Sequence, residues 1–273
     1  MVERTPRRMA AVTQPNNAYQ GVAAAWARGP AALYDMLATV ALEPAAHELR
    51  GATVLDVGAG TGALCRALRN AGAIPIAVDT SADMLGRIGD AAAHSVVGDM
   101  CALPLHARGF DAAVSGFAIS HIDRPQDALA EMRRVVRPRG QVIAAVFGEA
   151  GARASKDVID EVARDFGYLP PAWYVQLKNQ TEPRSNTPAL LAGCAESAGL
   201  DDIDVTDITV DSGLDTPEAV TAYRTGLAHV APFVASLSIA EGTEFIARAV
   251  AAVRDRGQPL RPRVLVLSSR APA

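Results

Sequence analysis

Apolar positions follow two different periods along the chain, and their alternation predicts helices separated by short strands. Over residues 18–49, apolar side chains recur at three- and four-residue steps, the period of a helix, and Gly29-Pro30 divides this stretch into two helices. From residue 51 to 147, short apolar runs alternate with helical stretches. Strands joined by helices of this length form a parallel, doubly wound sheet with helices on both faces.

The alternating core contains a series of predicted strands and helices. The strands cover residues 53–57, 74–78, 95–97, 110–115 and 141–147. The helices cover residues 61–70, 81–91 and 123–136. Ser81 and Asp123 stand at the start of the second and third helix, where a side-chain oxygen accepts a backbone N–H, so we expect both residues to be caps.

Beyond residue 148 the chain loses this regular alternation. Residues 149–200 are helical in pattern but interrupted by prolines. We therefore expect one α/β domain over residues 18–273, in which helical insertions form a lid. Its parts are a helical cap at 18–49, a core at 51–148, lid segments at 149–200 and 211–258, and strands at 202–210 and 263–268. Residues 1–17 are polar, and we expect them to be a disordered leader.

Composition and charge narrow the class of protein. The 273 residues carry a net charge of −4 and no run of Lys or Arg, so nucleic acid is not an expected partner, because phosphate binding needs clustered cations. Cys65, Cys101 and Cys194 have unrelated spacings and predict neither a disulfide framework nor a metal site. No apolar run reaches the roughly 18 residues of a membrane span. We expect a cytoplasmic protein, a monomer or homodimer, that acts without a metal.

A glycine-rich loop follows the first predicted strand. The loop at residues 58–62, with the sequence GAGTG, leads into a helix, so backbone N–H groups and a helix N-terminus face any ligand bound there. Gly58 and Gly60 allow a tight turn and a close approach to that ligand. Asp79 ends the second predicted strand, 21 residues after Gly58, where an acid accepts hydrogen bonds from the ribose hydroxyls of an adenosine.

Two cofactors fit this loop. With Ala63 the loop also satisfies the Gly-x-Gly-x-x-Ala pattern of nicotinamide dinucleotide sites. Asp56 lies two residues before Gly58, where an acid opposes a pyrophosphate but suits a sulfonium amino acid with its ammonium group. Asp99, at the end of the third predicted strand, can accept a hydrogen bond from an adenine amino group. These acids favour S-adenosylmethionine over a dinucleotide.

Linked motifs extend over the whole alternating core. They lie at residues 54–62 (VLDVGAGTG), 78–81 (VDTS), 98–104 (GDMCALP), 110–111 (FD), 120–125 (SHIDRP) and 131–138 (EMRRVVRP). Over about residues 51–147 the chain resembles class I S-adenosylmethionine-dependent methyltransferases of type 11, in the branch that includes ubiquinone and menaquinone methyltransferases. That branch often has two adjacent histidines where this chain has Ser120-His121, and Pro-Gly-Gly where it has Pro138-Arg139-Gly140.

The resemblance implies a Rossmann-like sheet of seven strands, mostly parallel, with an antiparallel last strand at residues 263–268. It also implies S-adenosylmethionine as cofactor, with S-adenosylhomocysteine as product. The residues expected to bind it are Tyr19, Trp26, Asp56, Gly58, Ala59, Gly60, Asp79, Thr80, Met84, Gly98, Asp99, Met100, Ser115, Gly116 and Phe117. Tyr19 and Trp26 match a leading helix that closes over the cofactor, although ordinary helix packing accounts for them equally well.

Three residues are candidates for acid–base chemistry, which methyl transfer requires only when the acceptor is protonated. His121 follows the fourth predicted strand at the ligand-binding edge of the sheet, although it can instead order its own loop. His229 on a lid helix and Glu149 after the fifth predicted strand can face an acceptor, or else serve packing and capping. The densest aromatic cluster, which can wall a flat acceptor or pack the lid, is Phe166, Tyr168, Trp173 and Tyr174.

The expected function is methyl transfer from S-adenosylmethionine to an O, N or C nucleophile of a small metabolite. The reaction is an in-line displacement that depends mainly on positioning. Three alternatives remain open: an enzyme of this fold that binds the cofactor but catalyses another reaction such as a cyclisation, an NAD(P)-dependent oxidoreductase, and a non-catalytic sensor of the cofactor.

Overall fold

The described part of the chain, residues 18–45, 47–149 and 154–273 of a computed structural model, is built around one sheet. Its strands are β1 (Thr53–Val57), β2 (Ile74–Asp79), β3 (His94–Val97), β4 (Phe110–Gly116), β5 (Val136–Phe147), β6 (Asp201–Thr209) and β7 (Arg263–Arg270). The expected leader at residues 1–17 lies outside the described residues.

The strands lie side by side in the order β3-β2-β1-β4-β5-β7-β6. Strands β1 to β5 pair in parallel, whereas β7 inserts between β5 and β6 and runs antiparallel to both. The expected sheet, mostly parallel with an antiparallel last strand, is therefore confirmed. The strand order reverses between β1 and β4, and ligands of such sheets bind at this point, beyond the carboxyl ends of the strands.

Helices cover both faces of the sheet and continue into the lid. They are α1 (Ala23–Arg28), α2 (Pro30–Leu42), α3 (Ala63–Asn70), α4 (Ala82–Leu85), α5 (Pro125–Val135), α6 (Ala154–Asp165), α7 (Ala172–Gln176), α8 (Pro188–Ser197), α9 (Pro217–Gly226), α10 (Ala231–Ser236) and α11 (Ile239–Arg256). Gly29 separates α1 from α2, as the sequence predicts. No helix in the described ranges is long and apolar enough to cross a membrane.

The helix predicted at residues 81–91 is shorter than expected. Ser81 caps it, because its hydroxyl accepts the backbone N–H of Met84 at 3.3 Å. However, α4 ends at Leu85, and a separate 3-10 turn covers Gly89–Ala91. Gly89 has a φ of +61°, and this left-handed conformation cannot continue an α-helix.

Two further boundaries near α5 also differ from the prediction. Pro125 occupies the first turn of α5, so the cap position falls on Arg124, one residue later than the predicted cap Asp123. Strand β5 begins at Val136, directly after α5, instead of residue 141. The pairing of β4 with β5 shifts register in this early part, which explains why the apolar pattern begins only at residue 141.

Each face of the sheet has its own buried core. On one face α5 and α8 contribute Leu129, Met132 and Leu191, all fully buried against the strands. On the other face α2 and α3 contribute Leu37 and Leu68, which are equally buried. Because both faces are covered, the strands bury apolar side chains in both directions, and this rigid sheet holds the loops at its carboxyl edge in place.

The lid helices form a third core that is separate from the sheet. Ile159 of α6 and Phe245 of α11 lie at its centre and are fully buried, and Tyr168 packs beside Phe233 at 5.2 Å between ring centroids. The lid is therefore a packed helical layer, and its inner side faces the carboxyl edge of the sheet.

Candidate active site

The loop after β1 turns sharply at three glycines. Gly58, Gly60 and Gly62 have φ values of +76°, +54° and +85°, which side chains with a Cβ rarely adopt. A Cβ at position 58 would overlap the methyl group of Ala118, whereas at Gly60 no described atom lies within 4 Å of a Cβ. Gly60 therefore borders open space, and this space is a cavity.

Two acids lie beneath and beside the loop. The Asp79 carboxylate accepts the backbone N–H of Gly60 and of Ser81, each at 2.8 Å, and burial raises its pKa. Asp56 is completely buried, and its Oδ2 accepts the thiol of Cys65 at 3.1 Å. Its Oδ1 has no hydrogen-bond partner in the described structure, and burial raises the pKa of Asp56 to about 7.

The cavity above the loop has a volume of about 160 Å³, and we call it the glycine-loop cavity. Thirteen of the fifteen residues expected to bind the cofactor line it. These are Tyr19, Trp26, Asp56, Gly58, Ala59, Gly60, Asp79, Thr80, Met84, Gly98, Met100, Gly116 and Phe117. The other two lie outside the lining: Asp99 accepts the backbone N–H of Cys101, and the Ser115 hydroxyl donates to the carbonyl of Val57 within the sheet.

A second and larger cavity, of about 690 Å³, lies between the sheet and the lid, and we call it the lid cavity. The two cavities share a wall of four side chains, which are Tyr19, Trp26, Tyr34 and His121. A small molecule in the lid cavity therefore lies next to a ligand on the glycine loop.

The shared wall is continued by an aromatic row. The ring of Tyr34 lies 4.8 Å from Trp26 and 5.5 Å from Phe117, and Phe117 lies 4.5 Å from Phe147. Phe117 has a φ of +59°, which is an uncommon conformation for a bulky residue. Its backbone N–H donates to the Ala145 carbonyl at 2.7 Å, and this hydrogen bond holds the conformation. This conformation directs the ring toward the boundary between the cavities.

His121 lies in the shared wall, where the two cavities adjoin. A residue at this position can reach a proton on the acceptor, as its predicted role in acid–base chemistry requires. Its Nδ1 is 3.3 Å from the Tyr19 hydroxyl, and either partner can donate, depending on the tautomer. Burial lowers the pKa of His121 and raises that of Tyr19, so both side chains are neutral near pH 7.

The other two candidates for acid–base chemistry line the lid cavity. His229 is buried and its ring stacks on Tyr174 at 3.5 Å, while its Nε2 has no hydrogen-bond partner among the described residues. Glu149 is exposed at the rim, next to Arg263. Neither residue lies in the wall shared with the glycine-loop cavity.

The aromatic cluster of the lid divides between the two predicted roles. Trp173 and Tyr174 line the lid cavity. Phe166 packs against Phe245 at 5.6 Å in the lid core, and the Tyr168 hydroxyl donates to a backbone carbonyl there. The four aromatic residues divide in this way because Trp173 and Tyr174 belong to α7, which borders the cavity. Phe166 and Tyr168 come before α7 and pack in the lid core.

Sequence reasoning missed several residues of these cavities. Tyr34 lines both cavities, but its position on α2 carries no signal except an aromatic side chain beside the apolar stripe. Lys156 and Arg224 line the lid cavity from α6 and α9. As one of only two lysines in the chain, Lys156 is conspicuous in the sequence, yet nothing there indicates that it faces a cavity.

The seven-stranded sheet, with a glycine loop after β1 and an acid at the end of β2, agrees with the fold that the resemblance to class I methyltransferases implies. Residues 55–144, about a third of the chain, match the family described as Methyltransferase domain. The resemblance of this segment to S-adenosylmethionine-dependent methyltransferases is therefore confirmed.

Two curated relatives illustrate the similarity. The demethylmenaquinone methyltransferase of Renibacterium salmoninarum is 38% identical over 99 residues, which are 36% of this chain and 42% of the relative. The malonyl-acyl-carrier-protein O-methyltransferase of Pseudescherichia vulneris is 43% identical over 97 residues, 35% of this chain and 39% of the relative. The chain thus spans about two fifths of the length of these relatives. Since their names state different acceptors, the similarity does not specify an acceptor.

Solved structures extend the likeness in fold over most of the chain. A phosphoethanolamine N-methyltransferase of Haemonchus contortus, in complex with S-adenosylhomocysteine, has a TM-score of 0.51 at 18% identity and covers 87% of this chain and 53% of that one. The cyclase SpnF has a TM-score of 0.53 at 19% identity and covers 88% of this chain and 82% of that one. At such identities the likeness shows the fold alone.

Proposed function

We propose that the chain transfers the methyl group of S-adenosylmethionine to an O, N or C nucleophile of a small molecule bound in the lid cavity. The observation that carries the proposal is the shared wall. The glycine-loop cavity and the lid cavity adjoin, since Tyr19, Trp26, Tyr34 and His121 line both, so a donor and an acceptor can meet at this boundary. Methyl transfer needs this juxtaposition, because an in-line displacement depends on the position of its two reactants.

The residues of the glycine-loop cavity fit the cofactor. The open space above Gly60 lets the backbone approach a ligand closely. The free Oδ1 of Asp56 is a buried acceptor that suits the ammonium group of a methionine portion. Asp79, already fixed by two backbone N–H groups, presents its carboxylate to ribose hydroxyls at the cavity wall.

When bound, the cofactor supplies an electrophilic methyl group on a positive sulfur. The chain then has to orient the acceptor and exclude water, and the aromatic row of Trp26, Tyr34 and Phe117 suits both tasks. An acceptor that carries a proton also needs a base. His121 is neutral, and the tautomer in which Nδ1–H donates to Tyr19 leaves Nε2 free to accept that proton.

The strand order opposes the oxidoreductase alternative. A dinucleotide-binding sheet has the order 3-2-1-4-5-6, whereas here β7 lies between β5 and β6 and is antiparallel. The alternative of a different reaction in the same cavities is favoured by one observation, the fold likeness to the cyclase SpnF. We further propose that the chain acts in the cytoplasm, without a metal or nucleic acid, as a monomer or homodimer.

The first test is thermal stabilisation by S-adenosylhomocysteine compared with NAD. A ligand at about 100 times its Kd stabilises the fold by roughly 2.7 kcal/mol, so S-adenosylhomocysteine is expected to raise the Tm of the wild type and NAD is not. The rise should shrink in Asp79→Ala and persist in Asp90→Ala, since the Asp90 side chain is 96% exposed and lies outside both cavities. Stabilisation by NAD alone would contradict the proposed cofactor.

The second test separates methyl transfer from another reaction. The protein is incubated with S-adenosylmethionine labelled on its methyl group and with the small-molecule fraction of a cell extract. A labelled product that disappears in Asp79→Ala supports the proposal. Stabilisation by S-adenosylhomocysteine without any labelled product contradicts methyl transfer and supports the alternative of a non-methylating reaction.

A further inference from the structure

The lid cavity is lined by several cations, and most of them have an anionic partner. Arg224 donates to Asp160 through two nitrogens at 2.5 and 2.9 Å, and Lys178 lies 2.5 Å from Glu182. The two arginines of the rim pair with acids outside the cavity, in the contacts Arg263–Asp207 and Arg261–Asp211. In these pairs each positive charge is balanced within the protein.

Lys156 of α6 is different. It lines the lid cavity and makes no ion pair or hydrogen bond with any described residue. Its ammonium lies 5.7 Å from the ring centroid of Tyr223, which gives it only an aromatic face as a partner. Burial, together with the positive charges of Arg224 and Lys178, lowers the pKa of Lys156 to about 8, against smaller opposing effects of Tyr174 and Glu182.

A second residue, His229, lies near the same cations. Burial lowers the pKa of His229, and the charges of Arg224, Lys178 and Lys156 contribute in the same direction. His229 is therefore neutral and adds no charge, and it supplies no anionic partner for Lys156. The acids of the cavity without a described partner, Glu149 and Asp157, are exposed to solvent, which screens them.

Lys156 is only partly exposed, so its ammonium has lost part of its hydration and would be stabilised by an anion bound in the cavity. We infer that the acceptor, on the basis of the function proposed above, is a flat apolar molecule that carries a carboxylate or phosphate, and that Lys156 binds this anionic group. The aromatic side chains of the same cavity, including Trp26, Trp173 and Tyr174, supply flat apolar walls.

The test uses two probes of equal shape, 2-naphthoate and its neutral analogue 2-naphthamide. Their Kd values are measured by calorimetry on the full chain saturated with S-adenosylhomocysteine. In the wild type, naphthoate should bind about tenfold more tightly than naphthamide, the effect of one hydrogen bond to a charged group. In Lys156→Met this preference should disappear, and in Lys156→Arg most of it should return, because arginine keeps the charge.

A matched control removes another cation of the same cavity without changing the net charge. In the double variant Lys178→Met with Glu182→Gln, a balanced pair is lost, so the preference for naphthoate should persist. Equal binding of both probes to the wild type, or an unchanged preference in Lys156→Met, would overturn the inference. Failure of the proposed function would be visible separately, since S-adenosylhomocysteine would then not bind to any of these variants.

Discussion

Gly60→Ala separates ligand binding from folding. The substitution adds one methyl group in a loop where φ is +54°, and no described atom lies within 4 Å of the added carbon. The cost to the fold is therefore the left-handed conformation alone, about 1–2 kcal/mol for a residue with a Cβ. For a domain of this size each kcal/mol lowers the Tm by about 2–4 °C. The variant should fold, in contrast to Gly58→Ala, whose methyl group would overlap Ala118.

The cost to ligand binding is expected to be larger. Gly60 lines the glycine-loop cavity and its surroundings are open, so we expect the added methyl group of Gly60→Ala to occupy space proposed for the cofactor. Overpacking by one such group costs about 1–3 kcal/mol. Since 1.4 kcal/mol corresponds to a factor of ten, the Kd for S-adenosylhomocysteine should rise between about fivefold and a hundredfold.

The assay is calorimetric titration with S-adenosylhomocysteine, together with the Tm of each unliganded variant. Gly213→Ala is the matched control, because Gly213 has a φ of +64°, has equally open surroundings and lies outside both cavities. Both variants should lose similar stability, and only Gly60→Ala should lose affinity. If Gly60→Ala binds as tightly as Gly213→Ala, the cofactor does not approach the loop at Gly60, and the assignment of this cavity is refuted.

Two further predictions concern buried charges. Burial raises the pKa of Asp56 to about 7 from 3.8, so in the folded state this acid keeps its proton over a range in which the unfolded chain has lost it. The free energy of unfolding should therefore fall as the pH rises from about 4 to 7. Urea titrations at several pH values should show a weaker fall in Asp56→Asn. If the free energy of unfolding depends on pH equally in both proteins, the burial argument is contradicted. Arg224→Met leaves Asp160 without its partner in the lid, where the two side chains are 5% and 19% exposed. Urea unfolding should show a loss of about 3–5 kcal/mol, and Arg224→Met with Asp160→Asn should restore part of it; no restoration would mean that packing and not charge is responsible.

Much of the core of this fold could be predicted from local patterns. The strand at residues 53–57, the glycine loop and the acid at the end of β2 follow from short-range sequence features, because backbone turns and helix N-termini depend on neighbouring residues. Thirteen of the residues that the family resemblance assigns to the cofactor line one cavity. Along β4 the alternation of side chains separates two neighbouring candidates: the Ser115 hydroxyl donates to the Val57 carbonyl within the sheet, while Gly116 lines the cavity.

The lid could not be predicted in the same way. Tyr168 and Tyr174 are only six residues apart, yet one belongs to the lid core and the other to the cavity, since α7 starts between them after two prolines. The role of Lys156 depends on how α6 packs against α9 and α11, which are some sixty or more residues away in sequence. Long-range packing of this kind leaves no periodic pattern in the sequence that could be recognised.

The wall between the two cavities has a thermodynamic consequence. Tyr19, Trp26, Tyr34 and His121 each contact both spaces, so a ligand on either side restricts the same four side chains. The second ligand then finds these side chains already ordered and loses less conformational entropy on binding. Linkage requires the effect to be reciprocal: whatever factor S-adenosylhomocysteine adds to the affinity of a molecule in the lid cavity, that molecule adds to the affinity of S-adenosylhomocysteine. A donor and an acceptor that both contact these four side chains are therefore expected to bind cooperatively.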